Sequence, residues 1–205
     1  MIEREAKKTI LEVSEAFKVL LVTGPRQVGK TTLLKSIMPE NMNYVTLDDE
    51  NLRTMAQEDP KLFLEEHKAP LLIDEVQYAP NLFSYIKIKV DNENKPGMYW
   101  LTGSQQFKLM KNVQDSLAGR VWIVRLNSVT YSEINKKAET KEIFNPKKIV
   151  KSELIDVNTL YEYIFKGGMP ELYNNDKMKR EYFFNSYIET YLTRDVENAV
   201  SISNL

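Results

Sequence analysis

A chain of 205 residues, 42% hydrophobic and 28% charged, has the composition of an ordinary globular protein and is long enough for one buried core plus a small appended unit. The formal net charge of −1 provides no global pull towards nucleic acid, so any DNA contact must come from a local patch or from something outside this chain. With no cysteine and one histidine, His67, disulfides, thiolate metal sites and a His-based zinc centre are excluded. No apolar run approaches the ~18 residues that span a bilayer, and the N-terminus lacks a signal-peptide pattern. No membrane partner is therefore predicted, and the cytoplasm is the default location.

In chain order, an amphipathic helix is predicted over residues 2–17, followed by an apolar β-rich run, Val19–Thr23. Immediately after it, Gly24-Pro25-Arg26-Gln27-Val28-Gly29-Lys30-Thr31 fits G-x-x-x-x-G-K-[ST], with Thr32 next and a helix over Thr31–Ile37. Each part has a chemical reason. Small residues let successive N–H groups turn inward around a phosphate, and a helix N-terminus adds partial positive charge. Lys30 reaches the β- and γ-phosphates of a nucleotide, and the Thr31 hydroxyl suits Mg²⁺. A chance match in a glycine-containing turn is the competing explanation, and the strand–loop–helix context argues against it. Arg26 reads as a loop-bracing or surface residue.

A second run, Tyr44–Leu47, and a helix, Asn51–Glu58, lead to Pro70–Ile73, which ends in Asp74-Glu75. Residues at the C-terminal ends of parallel strands project into the ligand crevice. Asp74 is assigned to the magnesium shell and Glu75 to the base that polarises the attacking water. Alone, either acid could instead cap the next helix. A helix over Leu82–Val90 and the turn cluster of residues 92–97 precede the run Met98–Leu101. Thr102, Ser104 and Gln105 follow it as candidates for a residue that senses the γ-phosphate, with Thr102 and Ser104 preferred. Ser104 also reads as the N-cap of a helix over Phe107–Leu117. Arg120 precedes the fifth run, Val121–Leu126, and is either a finger reaching a neighbouring subunit's γ-phosphate or a structural arginine after a glycine turn.

Five apolar runs alternating with helices predict a three-layer α/β domain on a five-stranded parallel sheet. This ATP-binding domain spans residues 1–134. Residues 135–152 are rich in lysine and glutamate and read as an exposed linker with a solvated basic bias rather than a DNA patch. Residues 153–205 read as a helical segment, with helices over Val157–Phe165 and Met178–Ala199 broken at Gly167-Gly168-Met169-Pro170. Their aromatics recur at helical spacing and are expected in a helix core. Arg194 reads as structural. The chain stops soon after Asp195, which suggests a fragment of something longer.

The phosphate-loop run, Leu47-Asp48-Asp49, Leu72-Ile73-Asp74-Glu75-Val76-Gln77, Leu101-Thr102-Gly103-Ser104, Ser116-Leu117-Ala118-Gly119-Arg120, Gly167-Gly168-Met169-Pro170-Glu171 and Tyr191-Leu192-Thr193-Arg194-Asp195-Val196 come in one order. Together they resemble the prokaryotic AAA-like P-loop ATPases that carry a C-terminal domain of unknown function. The resemblance implies an additional-strand (AAA+-like) fold, with the strand of residues 98–101 between the phosphate-loop and acidic strands. It also implies ATP and Mg²⁺ as cofactors, and a DNA-linked or defence role through a C-terminal domain that this chain largely lacks. Partners on this reading are ATP, a homo-oligomer with Arg120 in trans, and DNA or protein bound through the missing domain. Three functions are weighed: a hydrolysing switch or motor, a nucleotide-binding regulatory module with little turnover of its own, and a small-molecule kinase. The third lacks an arginine-rich lid after Asp74.

Overall fold

The structure is a computed structural model that describes residues 1–104, 113, 115–135 and 155–192. One compact unit comprises Arg4–Asn127, and a second takes in Met1–Glu3 with the chain from Ser128 onward.

In the first unit, α1 (Ala6–Ser14) precedes β1 (Val19–Thr23), α2 (Lys30–Ile37), β2 (Asn43–Thr46), α3 (Glu50–Glu58) and α4 (Pro60–Glu66). Then come β3 (Leu71–Asp74), a single 3₁₀ turn at Val76–Tyr78, α5 (Leu82–Glu93), β4 (Tyr99–Gly103) and β5 (Val121–Arg125). The five strands form one sheet in the order β2-β3-β4-β1-β5. Every pairing is parallel, with Val19 opposite both Tyr99 and Val121, and Leu71 opposite both Asn43 and Tyr99. The strand carrying the sensor candidates therefore lies between the phosphate-loop strand and the acidic strand, as expected. All strands point the same way, so the residues following β1, β3 and β4 gather along one edge of the sheet.

The three central strands are buried along their whole length, which is why they read as continuous apolar runs. Successive side chains alternate between the sheet's two faces. Val19, Leu21, Leu71, Ile73, Tyr99 and Leu101 share one core with Ala56, Phe63, Leu64, Phe83 and Ile86 from α3, α4 and α5. Burial pushes the Tyr99 hydroxyl up to about 12. Helix starts follow local chemistry. Asp49 accepts from the Asn51 and Leu52 N–H groups at the start of α3, and Asp59 accepts from Leu62 N–H at α4, where Pro60 sits in the first turn. Asn94, in the left-handed region, ends α5.

The N-terminal helix is shorter than its predicted span, and α4 and the 3₁₀ turn were not anticipated. Of the predicted helix Phe107–Leu117, residues 105–112 and 114 lie outside the described residues.

The second unit contains α6 (Tyr131–Ile134), α7 (Val157–Lys166), α8 (Glu171–Asn174), α9 (Arg180–Tyr187) and a π turn at Ile188–Leu192. A reciprocal cap starts α6: Glu133 N–H donates to Thr130 Oγ1 at 3.2 Å, and Thr130 N–H to Glu133 Oε2 at 2.9 Å. Gly168 allows close packing, since an added Cβ would fall 2.7 Å from the Val129 carbonyl oxygen. The expectation that the aromatics form a helix core holds for Phe183, which is buried, meets Phe184 edge to face and stacks on Tyr187. It fails for Tyr161, Phe165 and Tyr182, each more than 60% exposed. Helical spacing identifies a shared face without saying whether that face is covered. Residues 136–152 of the predicted linker, Arg194 and the predicted helix beyond Leu192 lie outside the described residues.

Core packing sets the expected mutational response. Leu21→Ala, at a fully buried strand position, is expected to lower unfolding free energy by about 2–5 kcal/mol in urea denaturation. Ile164→Ala, on the exposed side of α7, should change it by no more than about 0.5 kcal/mol.

Candidate functional site

The loop of residues 24–29 joins β1 to α2, and its glycines are required at two points. Gly24 has φ 149°, and a Cβ there would lie 2.0 Å from the Leu126 carbonyl oxygen, so only glycine fits. Gly29, at φ 89°, occupies the left-handed region and forms the N-cap of α2, which has no side-chain cap. The first amides of that helix are thus left for something other than a capping side chain. Gln27, at φ 60°, shows that the loop holds a non-glycine residue in a strained conformation. Pro25, Gln27 and Thr32 are exposed, Arg26 is half-buried, and Val28 is fully buried.

Lys30 opens α2 and is 6% exposed. Its Nζ donates to the Gly24 and Pro25 carbonyls at 3.1 and 2.8 Å. Burial pulls its ammonium below the usual value of 10.5, opposed by the charges of Glu75 and Asp74 and reinforced by repulsion from Arg26. A desolvated cation turned back on its own loop is one that a polyanion would stabilise.

Asp74 is the last residue of β3 and is buried. Its Oδ1 accepts from Thr31 Oγ1 at 2.7 Å and from the Thr102 hydroxyl, and its Oδ2 from the Tyr44 hydroxyl at 3.4 Å. Thr102 Oγ1 in turn accepts from the Glu75 N–H at 3.1 Å. Glu75 adopts a left-handed backbone at φ 56°, a conformation that non-glycine residues hold only when their surroundings impose it. Its Oε2 accepts from Ser104 Oγ at 3.1 Å and from the Gln77 side-chain amide. Thus the edge of the sheet joins Thr31, Asp74, Thr102, Glu75 and Ser104 in one hydrogen-bonded network, with Lys30 near enough to feel the charges of Glu75 and Asp74. Thr102 is fully buried with its hydroxyl committed twice, whereas Ser104 is only half-buried. Gln105 lies outside the described residues.

Arg120 is elsewhere. It precedes β5, and Val19 N–H donates to its carbonyl at 3.2 Å, so it lies at the edge of the sheet where β1 begins. Its guanidinium grips Asp91 of α5 in a two-point ion pair, Nε–Oδ1 2.6 Å and Nη2–Oδ2 2.8 Å. This hydrogen bonding holds the Asp91 carboxyl below its usual range. A five-residue strand separates that edge from the phosphate loop, about 17 Å at strand rise, so Arg120 is not part of this chain's own network.

Two residues were missed from sequence. Gln77 closes the run Leu72–Gln77 but carries no assigned role there, and its side-chain amide donates to Glu75. Arg4, ahead of α1, donates from Nη1 to the Val28 carbonyl at 2.7 Å and from Nη2 to the Asn127 carbonyl at 2.6 Å. A lone arginine near a terminus carries no sequence signal for such a contact.

Among the described residues, no group of three or more His, Cys, Asp or Glu side chains could hold a metal, and no helix is long and apolar enough to cross a membrane. The residues present do fit magnesium, which is usually held through one or two carboxylates plus substrate phosphates rather than by an all-protein cage. Thr31 and Asp74 supply the hydroxyl and the carboxylate.

Residues 16–135 match a family model described as an AAA domain, and residues 157–205 match one described as a domain of unknown function. Uncharacterized proteins of Mycobacterium bovis and Mycobacterium tuberculosis are each 33% identical over 198 residues, 94% of this chain. The chain spans 39% of the length of these curated relatives. Among solved structures, AMPPCP-bound DnaA from Aquifex aeolicus aligns with a TM-score of 0.52 at 18% identity, covering 93% of this chain and 64% of that one. A variant of RuvB from Thermotoga maritima aligns at 0.43 with 19% identity over 66% of this chain and 49% of that one.

Two outcomes are expected from the network. Thr102→Val leaves Glu75 N–H and Asp74 Oδ1 each short of a partner. It should cost about 1–3 kcal/mol in chemical denaturation despite conserving volume. The lowered folded value of Lys30 means that the unfolded chain binds more protons between that value and 10.5. Stability therefore rises with pH through this window, and Lys30→Met should remove that share of the rise in melting curves recorded up to pH 10.5.

Proposed function

Since the chain belongs to the AAA domain family through residues 16–135, we propose that it binds ATP with Mg²⁺ and hydrolyses it, acting as a switch or motor. The observation that carries this reading is the hydrogen-bonded chain from Thr31 through Asp74 to Thr102 and the Glu75 amide. It links the phosphate loop directly to the acid pair.

In this reading the loop amides and Lys30 Nζ bind the β- and γ-phosphates, and Lys30 exchanges its loop carbonyls for phosphate oxygens. Thr31 and Asp74 hold the ion, which when bound neutralises charge on the phosphate oxygens. Glu75 accepts the proton of a water attacking the γ-phosphorus. The bond to the bridging oxygen breaks, and ADP and phosphate leave. Ser104, half-buried and touching Glu75, is the better reporter of the γ-phosphate; Thr102 instead fixes the backbone beneath Glu75. That the DnaA neighbour of similar fold is AMPPCP-bound agrees with a nucleotide ligand.

Arg120 enters in trans, from a second copy, by exchanging Asp91 for the neighbour's γ-phosphate. A DNA-linked or defence role, with DNA or protein bound through a further domain, belongs to the same proposal and rests on the family resemblance. A cytoplasmic site of action agrees with the absence of cysteine.

One observation favours a second reading, a nucleotide-gated module with little turnover of its own. Glu75 Oε2 is already engaged by Ser104 and Gln77, and a base held in this way needs a further event to release it.

Magnesium-dependent phosphate release from ATP tests the choice. Glu75→Gln should lower turnover by at least about 10²-fold while ATP stays bound, and Lys30→Ala should abolish binding. Specific activity that rises with protein concentration and is lost in Arg120→Ala would support the trans finger. Tight ATP binding with no turnover at any concentration would select the gated module.

A further inference from the structure

We propose that Arg4 is a positioning residue of the phosphate loop, holding the Val28–Gly29 peptide so that the Gly29 N–H is presented to a bound phosphate. The inference rests on the nucleotide reading above and adds to it a residue outside the loop motif.

Arg4 is 7% exposed although it sits in the short segment before α1. Its two terminal nitrogens reach two main-chain carbonyls, Val28 at 2.7 Å and Asn127 at 2.6 Å, from parts of the chain about a hundred residues apart. Burying a guanidinium is costly unless its donors are used, and the planar fork suits two acceptors at once. The position of the contact gives it consequence. Across a trans peptide the carbonyl and the next N–H point in opposite directions. A Val28 carbonyl held by Arg4 therefore fixes the direction of the Gly29 N–H. Gly29 benefits from such a hold, because glycine at φ 89° is intrinsically free to leave this conformation. A Cβ on Gly29 would come to 4.0 Å from Arg4 Nη1, which places the guanidinium against this turn.

The other end of the loop is held on the same strand exit. Gly24 packs against the Leu126 carbonyl, and Leu126 N–H donates to Thr23 at 2.8 Å. Residues 126 and 127 thus clasp both ends of the phosphate loop, with Arg4 as the clasp at the Gly29 end. The guanidinium also places a second cation beside the loop without contributing a motif residue.

The test uses the full chain and its Arg4→Ala and Arg4→Lys variants, titrated with fluorescent ATP and ADP analogues. Loss of a charge-assisted hydrogen bond to the loop is expected to weaken both nucleotides by at least about tenfold. The two should weaken equally, because Gly29 serves a phosphate common to both. Added ethylguanidinium should recover part of the affinity in Arg4→Ala, a response that general destabilisation would not give. Arg4→Lys should also bind weakly, since one ammonium cannot replace the two-point grip, and it carries the test should Arg4→Ala fail to fold. Hydrogen exchange at the Gly29 amide, measured without ligand, should speed up in both variants. Folded variants that bind both nucleotides like the wild type, or whose Gly29 exchange is unchanged, overturn the proposal. A wild type that binds neither nucleotide overturns the ATP reading instead, and the ligand-free exchange arm still decides whether Arg4 holds the loop.

Discussion

The Asp74 carboxylate, buried at the end of β3, collects hydroxyls from three other elements: Thr31 of α2, Thr102 of β4 and Tyr44 of β2. A charged group at 5% exposure is tolerated only when its oxygens are satisfied. The parallel sheet brings these donors together, because strands running the same way end on the same edge. The geometry then propagates. Thr102 donates to Asp74 and accepts from the Glu75 amide, so the carboxylate that orders Thr31 also fixes the backbone of the next acid. Glu75 in its left-handed conformation, like Gln27 in the loop, is strain concentrated at the site and sustained by the packed sheet behind it.

The same sheet explains what was legible in the sequence. The three central strands, buried on both faces, leave uninterrupted apolar runs. Val19–Thr23 matches the structure at both ends, and the other four runs, including those of the half-exposed β2 and β5, are displaced by no more than two residues at either end. The phosphate loop and the acid pair were readable because their spacing is set by the phosphate and metal they suit rather than by the surrounding packing. α4 escaped notice because Pro60–Glu66 is short and half charged, with only Pro60, Phe63 and Leu64 turned inward. Arg4 and the Asp91–Arg120 pair were beyond reach for another reason. Each joins segments distant in sequence, and no local pattern encodes a contact made only by the fold.

Candidate roles separate along the same line. Thr102 and Ser104 are indistinguishable by type and spacing, but β4 buries the first and leaves the second half-buried at its end. In the second unit, helical spacing grouped the aromatics, yet Phe183 is covered while Tyr161, Phe165 and Tyr182 face outward. Periodicity identifies a face; what covers it depends on neighbours that the pattern does not contain.

The central claim is that the Thr31–Asp74 pair forms one magnesium-assisted nucleotide site with the phosphate loop. Titration calorimetry of the chain with ATP, in the presence of Mg²⁺ and then of a chelator, tests it most directly. The account predicts one saturable site per chain whose affinity for ATP rises with Mg²⁺, with the magnesium effect removed by Thr31→Val. Saturable ATP binding that is indifferent to Mg²⁺, or no binding at all, would contradict it.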